Sequence, residues 1–155
     1  MRFPDDARRP CDPAYAPSGS HTGFPDGFPI LVTSEASLAE LNEALAERDQ
    51  PPVLMSRFRP NIVLSELPKR AEDQAGRIRL GDGTELLLVK PCDRCVVTTV
   101  DQASGRRDGS EPLTTLGRIR RNPKTGGVHF GVNAVPGFEG GARPVRVGAA
   151  CSLLP

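Results

Sequence analysis

The sequence predicts a mainly β, α+β domain: a closed or half-closed β-barrel with a few helices packed around it. Three observations carry this expectation. Six or seven short strand-like stretches outnumber two helical ones. Their connections are hairpin-like and lack the regular strand–helix alternation of a doubly wound sheet. Gly 16 and Pro 16 fill about one position in five of the 155 residues, a density of turn formers that leaves little room for long helices.

The elements follow in order. Residues 1–27 read as irregular, with Pro4, Pro10, Pro13, Pro17 and Pro25 and a Ser18-Gly19-Ser20 run. Such a stretch reads as a mobile tail or severed linker. Phe28–Thr33 is a short apolar strand. Ser37 followed by Glu40 forms a capping box, and Leu38, Leu41 and Leu45 then share one helical face until Pro51-Pro52 ends the helix. Asn61–Ser65 is a strand. Arg77–Leu80 and Thr84–Val89 flank Gly81-Asp82-Gly83, which marks a hairpin. Val96–Val100 is β-branched throughout and predicts another strand. A polar loop over 101–109 leads to a second helix over 111–121, with Leu113, Leu116 and Ile119 three apart. Strands over 127–136 and 145–154 close the chain, with turns at Gly137 and Gly140-Gly141.

Composition excludes several classes of function. The net charge of +1 provides no basic surplus for sequence-independent nucleic-acid binding. No apolar run approaches the roughly 20 residues that span a bilayer, so no membrane partner is expected. Residues 1–17 lack the apolar core of a signal peptide. Four cysteines are too few for a secreted disulfide scaffold, and a reducing, cytoplasmic location is expected.

The sharpest chemical feature is Lys90-Pro91-Cys92-Asp93-Arg94-Cys95. A thioredoxin-type dithiol needs a helix behind its first cysteine, and the β-branched run that follows speaks against one. A structural zinc site needs four ligands, and Cys11, Cys151, His21 and His129 stand apart from the pair. A single thiolate beside the cations Lys90 and Arg94 would suit a soft or high-valent transition metal. Both cysteines could equally serve as small core side chains, and spacing does not separate these readings. The cluster Arg57-Phe58-Arg59-Pro60-Asn61-Ile62 adds two forked cations and an amide. Such forks bind phosphates or carboxylates, and more ordinarily they form salt bridges. Pro60 favours an extended Arg59, which would put Arg59 and Asn61 on one face.

These strings occur in a recognisable order. Phe28-Pro-Ile-Leu-Val-Thr-Ser-Glu-Ala-Ser-Leu-Ala-Glu-Leu-Asn42 comes first, then Arg57-Phe-Arg-Pro-Asn-Ile-Val63, Ala71-Glu-Asp73 and Ile78-Arg-Leu-Gly-Asp82. Lys90-Pro-Cys-Asp-Arg-Cys-Val-Val-Thr-Thr-Val-Asp101, Glu111-Pro-Leu-Thr-Thr-Leu116, Phe130-Gly131 and Val145-Arg-Val-Gly148 follow. Over residues 24–154 the chain resembles the MOSC domain, the C-terminal domain of molybdenum cofactor sulfurases. Within that family it is most similar to the branch of bacterial YcbX-type proteins and mitochondrial amidoxime-reducing components.

The resemblance implies a MOSC-type β-barrel, with the molybdenum cofactor (molybdopterin) as its cofactor. It assigns Cys95, which closes the Cys-x-Arg-Cys string, as the molybdenum ligand and catalytic position. It places Arg59 and Asn61 at the pterin and Asp26 in the cofactor-binding loop before the first strand. The implied reaction is two-electron reduction of small N-hydroxylated compounds, with electrons from a flavin or iron–sulfur partner protein. Residues 1–23 then read as a flexible tail or the remnant of a missing N-terminal β-rich domain, and 24–155 as the MOSC domain. Val132 stands where the family often has Gln after Phe-Gly. A different class of function is a non-catalytic carrier of cofactor, or of sulfur as a persulfide on Cys95. A third possibility is an apo fragment that is inactive without an N-terminal domain.

Overall fold

The computed structural model describes residues 8–23, 27–107, 109–123, 125–137 and 143–155. The expected cofactor residue Asp26 lies outside the described residues. The strands are β1 (Arg9–Pro10), β2 (His21–Thr22), β3 (Ile30–Ser34), β4 (Ile62–Leu64), β5 (Arg77–Leu80), β6 (Glu85–Asp93), β7 (His129–Pro136) and β8 (Cys151–Leu154). The helices are α1 (Glu35–Ala46), α2 (Ala71–Gln74) and α3 (Leu113–Ile119), with 3-10 turns at Met55–Phe58 and Val96–Thr99. Six strands form one sheet in the order β4-β3-β7-β6-β5-β8, and β1 pairs with β2 separately. This is the mainly β, α+β architecture with few helices that the sequence predicts. The order has two ends, β4 and β8.

The chain divides into two compact units, one of them Leu31–Asp73 with Pro91–Val132. In this unit β3 and β4 pair in parallel, Val32 opposite Ile62 and Ser34 opposite Leu64. Leu41 and Leu45 of α1, Leu116 of α3, Phe58 and Phe130 form its buried core. Burying each of these side chains contributes about 1.5–3 kcal/mol. The leucine periodicity of α1 therefore does what the sequence predicts.

The cap of α1 is different. Ser34, not Ser37, is the N-cap, and its hydroxyl accepts the Ser37 N–H at 3.1 Å. Ser37 is buried one turn inside the helix, where its hydroxyl accepts a hydrogen bond from Arg120 at 2.8 Å. Glu40 does not close a capping box; it pairs with Arg70 at 2.8 Å and with Arg120 at 3.4 Å. The helix also stops before the prolines. Asp49 takes a left-handed conformation, φ 54°, and the Gln50 N–H returns to the Leu45 carbonyl. One-turn α2 escaped the periodicity test because four residues hold too little of a 3.6 repeat.

Val96–Thr99 is a 3-10 turn and not the expected strand. Thr98 donates its hydroxyl to the Cys95 carbonyl at 3.0 Å, and Thr99 donates to the Val96 carbonyl at 2.7 Å. These local bonds offer the backbone an alternative to a ladder, and burial of both threonines secures it.

Gly131, in β7, has φ +76° and lies against β3. A Cβ there would meet the Val32 carbonyl oxygen at 2.6 Å and Thr33 Cγ2 at 2.7 Å. Gly131→Ala is expected to cost about 2–4 kcal/mol, combining overpacking with a left-handed alanine. Urea unfolding measures this, and an unchanged midpoint would contradict the close approach.

The second unit comprises Met1–Ile30, Gln74–Lys90 and Asn133–Pro155. Its β5–β6 hairpin has Arg77 opposite Leu87 and Arg79 opposite Glu85, turning at Gly81-Asp82-Gly83 as expected. β8 adds to β5, with Leu80 opposite Cys151. Of the strand expected over 145–154, only Cys151–Leu154 forms. Residues 145–150 are exposed, and a turn from Arg146 to Ala149 interrupts them.

Residues 8–23, expected to be irregular, contain the β1–β2 hairpin. Cys11 and Ala16 are buried with Phe28 and Val135, and the Cys11 N–H donates to the Ser20 carbonyl at 3.0 Å. The prolines shape this loop rather than unravel it, because their lost N–H groups fall where no ladder needs them. The Cys11 and Ala16 amides are expected to exchange at least about ten-fold more slowly than unstructured chain. Random-coil exchange at both would favour the mobile tail.

Candidate functional site

All the expected site residues that are described lie on two loops of the unit formed by Leu31–Asp73 and Pro91–Val132. The first loop runs from the 3-10 turn Met55–Phe58 into β4. Arg59 caps that turn in a left-handed conformation, φ 54° and ψ 48°, and not in the extended one expected before Pro60. For a residue with a Cβ this costs on the order of 1–3 kcal/mol and persists only where surrounding contacts enforce it. Its N–H donates to the Ser56 carbonyl at 3.1 Å. The side chain is exposed, and among the described residues its guanidinium has no hydrogen-bond or ion-pair partner. Among the described residues no carboxylate takes up Arg59 in the ordinary salt bridge; Glu72 is fully buried and accepts from the Ser34 hydroxyl at 2.8 Å.

Asn61 is exposed and bridges to β3 twice. Its N–H donates to the Leu31 carbonyl at 2.9 Å, and its Oδ1 accepts the Leu31 N–H at 2.8 Å. The amide oxygen is thus occupied in closing the β3–β4 pair. The Nδ2 group is left to donate to a ligand. Arg57, the other fork of the cluster, is half-buried and pairs with Asp101 at 3.6 Å. Hydrogen bonds from Ser104, and then the Arg57 charge, hold the Asp101 carboxyl below its usual range.

The second loop is Cys92–Cys95 with the turn that follows. Cys92 sits inside β6 and is half-buried; Cys95 begins the 3-10 turn and is exposed. Both are free thiols. Cys95 therefore opens to solvent and is not a core side chain. Among the described residues no three histidine, cysteine or acidic side chains converge as a metal cluster. Lys90, one of the two expected cations, lies 4.9 Å over the Tyr15 ring.

Arg94 joins the two loops. Its Nη2 donates to the Phe58 carbonyl at 2.9 Å, its Nη1 to Cys92 Sγ at 3.0 Å, and its backbone N–H to the Val128 carbonyl at 2.7 Å. The guanidinium also lies 5.5 Å from the centre of the Phe58 ring. Phe58 stacks on Phe130 at 3.9 Å and 24°, and Arg120 covers Phe130 from 5.5 Å. An Arg–Phe–Phe–Arg stack thus runs from the cysteine loop into a buried ion cluster. Stacked aromatic pairs contribute about 0.5–1.5 kcal/mol beyond their area.

In that cluster Arg120 meets Asp73 at 2.9 Å, Glu40 at 3.4 Å and the Ser37 hydroxyl. Burial pushes the Asp73 carboxyl up, even against the Arg120 charge. Burial would raise Glu40 too, but hydrogen bonds and charge from Arg70 and Arg120 outweigh it and hold that carboxyl below its usual range. The sequence reading missed Arg94 as a tie, the phenylalanine stack and the Arg120 cluster. Phe130 and Ala71-Glu72-Asp73 stood among the ordered strings, yet Arg120 meets Asp73, Glu40 and Ser37 across 47, 80 and 83 residues of sequence.

The family model of the MOSC domain matches residues 19–152. The chain belongs to the MOSC domain family. Among curated relatives, this MOSC chain is 45% identical over 97 residues to mitochondrial amidoxime-reducing component 1 of Mus musculus, 63% of this chain and 27% of that protein. It is 43% identical over 98 residues to the Homo sapiens protein of the same name, covering 63% and 28%. It is 38% identical over 104 residues to that of Danio rerio, covering 67% and 30%. The chain therefore spans less than a third of the length of these relatives. Among the described residues no helix is long and apolar enough to cross a membrane.

Proposed function

We propose that this MOSC domain binds the molybdenum cofactor and serves an oxidoreductase that reduces small N-hydroxylated compounds. One observation carries the reading. An exposed thiol at Cys95 stands on a loop that Arg94 ties to the loop presenting Arg59, an exposed guanidinium without a partner among the described residues. The donor set suits the group. Cys95 would hold molybdenum as a thiolate, a soft ligand for a transition metal. Arg59 would take the cofactor's phosphate with its fork, and the Asn61 Nδ2 would donate to the pterin edge. Asp26 is proposed as a further cofactor contact. When bound, the cofactor supplies the two-electron chemistry that cleaves an N–O bond.

The relatives' names support amidoximes and kindred N-hydroxylated compounds as substrates. The electrons would come from a flavin or iron–sulfur protein. A reducing, cytoplasmic location is proposed from the cysteine count alone. The test is molybdenum per chain in protein expressed with cofactor synthesis intact, followed by reduction of an amidoxime with an artificial electron donor. About one molybdenum per chain with turnover is the expected result. A metal-free chain carrying a persulfide on Cys95 would replace the enzyme reading with the carrier one.

A further inference from the structure

Arg94 sits next to Cys95 in sequence and on the carbonyl before Arg59 in space. The Phe58–Arg59 peptide is gripped from both sides. Its carbonyl accepts from Arg94 at 2.9 Å, and its N–H donates to the Ser56 carbonyl at 3.1 Å. That peptide leads into the left-handed Arg59, φ 54°, a conformation that the following Pro60 does not favour. The guanidinium itself lies 5.5 Å from the centre of the Phe58 ring and donates to Cys92 Sγ at 3.0 Å. Its Nε is buried without a hydrogen bond, so the side chain is not placed here to satisfy its own donors.

We infer that Arg94 is a positioning residue. It aims the Arg59 fork and fixes the spacing between Arg59 and Cys95, with Cys92 serving as the acceptor that orients the Arg94 plane. This rests on the reading of Cys95 and Arg59 as one cofactor site. A lysine at 94 keeps the charge but cannot reach the Phe58 carbonyl and Cys92 Sγ with a planar fork.

The experiment uses the full chain with Arg94→Gln, Arg94→Lys and Cys92→Ala, each in the native and the Arg59→Ala background. Molybdenum retention is read after dialysis, and exchange of the Arg59 amide is read in metal-free protein. Arg94→Gln is expected to lower retention about ten-fold in the native background and less than about two-fold with Arg59→Ala, because the effect passes through Arg59. The Arg59 amide is expected to exchange about ten-fold faster in Arg94→Gln, with Cys92→Ala showing a smaller rise in the same direction. Equal retention losses in both backgrounds, full rescue by Arg94→Lys, or an unmoved Arg59 amide would overturn the inference. If the unmutated chain retains no molybdenum, the functional reading falls, and the amide measurement alone decides whether Arg94 positions Arg59.

Discussion

Cys95→Ser is expected to strip molybdenum from the purified chain, while Cys92→Ser is expected to keep most of it. The two thiols are only three residues apart, but the fold gives them different work. Cys95 is exposed at the start of a 3-10 turn, with its carbonyl engaged by Thr98. Cys92 lies within β6, and its sulfur accepts from Arg94 at 3.0 Å. A serine at 95 offers a hydroxyl that stays protonated near neutral pH and is a hard donor, so the soft anionic ligand is lost. A serine at 92 still offers an oxygen lone pair to the Arg94 fork, so the tie between the loops survives. Metal content by elemental analysis, with thermal unfolding as a control, separates these outcomes. Equal loss in both variants would favour a paired dithiol and remove the single-ligand assignment.

Arg120→Ala is expected to destabilise the chain by about 3–5 kcal/mol, the cost of leaving buried partners of an ion pair uncompensated. Its side chain is 1% exposed, against 19% for Glu40 and 16% for Asp73. Loss of the guanidinium also removes the donor to the buried Ser37 hydroxyl and the cation over Phe130. For a chain of this length the midpoint should fall by about 10 °C. The pH dependence has a definite sign. The Asp73 carboxyl is already raised by burial, and it rises further without Arg120. A folded state with a raised carboxyl binds more protons than the unfolded chain. Stability of the variant therefore falls as pH rises from the ordinary carboxylate value to the raised one. The deficit relative to the unmutated protein is expected to be smaller at about pH 4 than at pH 7. A loss under about 1 kcal/mol at pH 7 would mean that the cluster behaves like an exposed surface pair.

Arg48 and Glu111 provide a contrast. Glu111 pairs with Arg48 and accepts the Thr115 N–H at 3.0 Å, so it ties α3 to the end of α1. Burial would raise the Glu111 carboxyl, but these bonds outweigh it and hold it low. The string Glu111–Leu116 was visible in the sequence as the start of a helix. Its pairing with Arg48, 63 residues earlier, was not.

By itself the sequence determined the mainly β class, the β5–β6 hairpin at Gly81-Asp82-Gly83, the leucine face of α1 and the β7 strand. Each depends on residues within one turn or one strand, where periodicity and turn chemistry act directly. It also singled out Cys95, Arg59 and Asn61 through the order of their strings. Tertiary contacts decided the rest. Ser34 caps α1, and Arg120, 83 residues away, takes the Ser37 hydroxyl. Val96–Thr99 closes into a 3-10 turn because its buried threonines bond back to Cys95 and Val96. Arg59 turns left-handed where Arg94 holds the carbonyl before it. Local preferences differ by tenths of a kcal/mol up to about 1, and a single buried hydrogen bond or charge contact matches or exceeds that. Where such a contact comes from a distant part of the chain, it sets the local conformation.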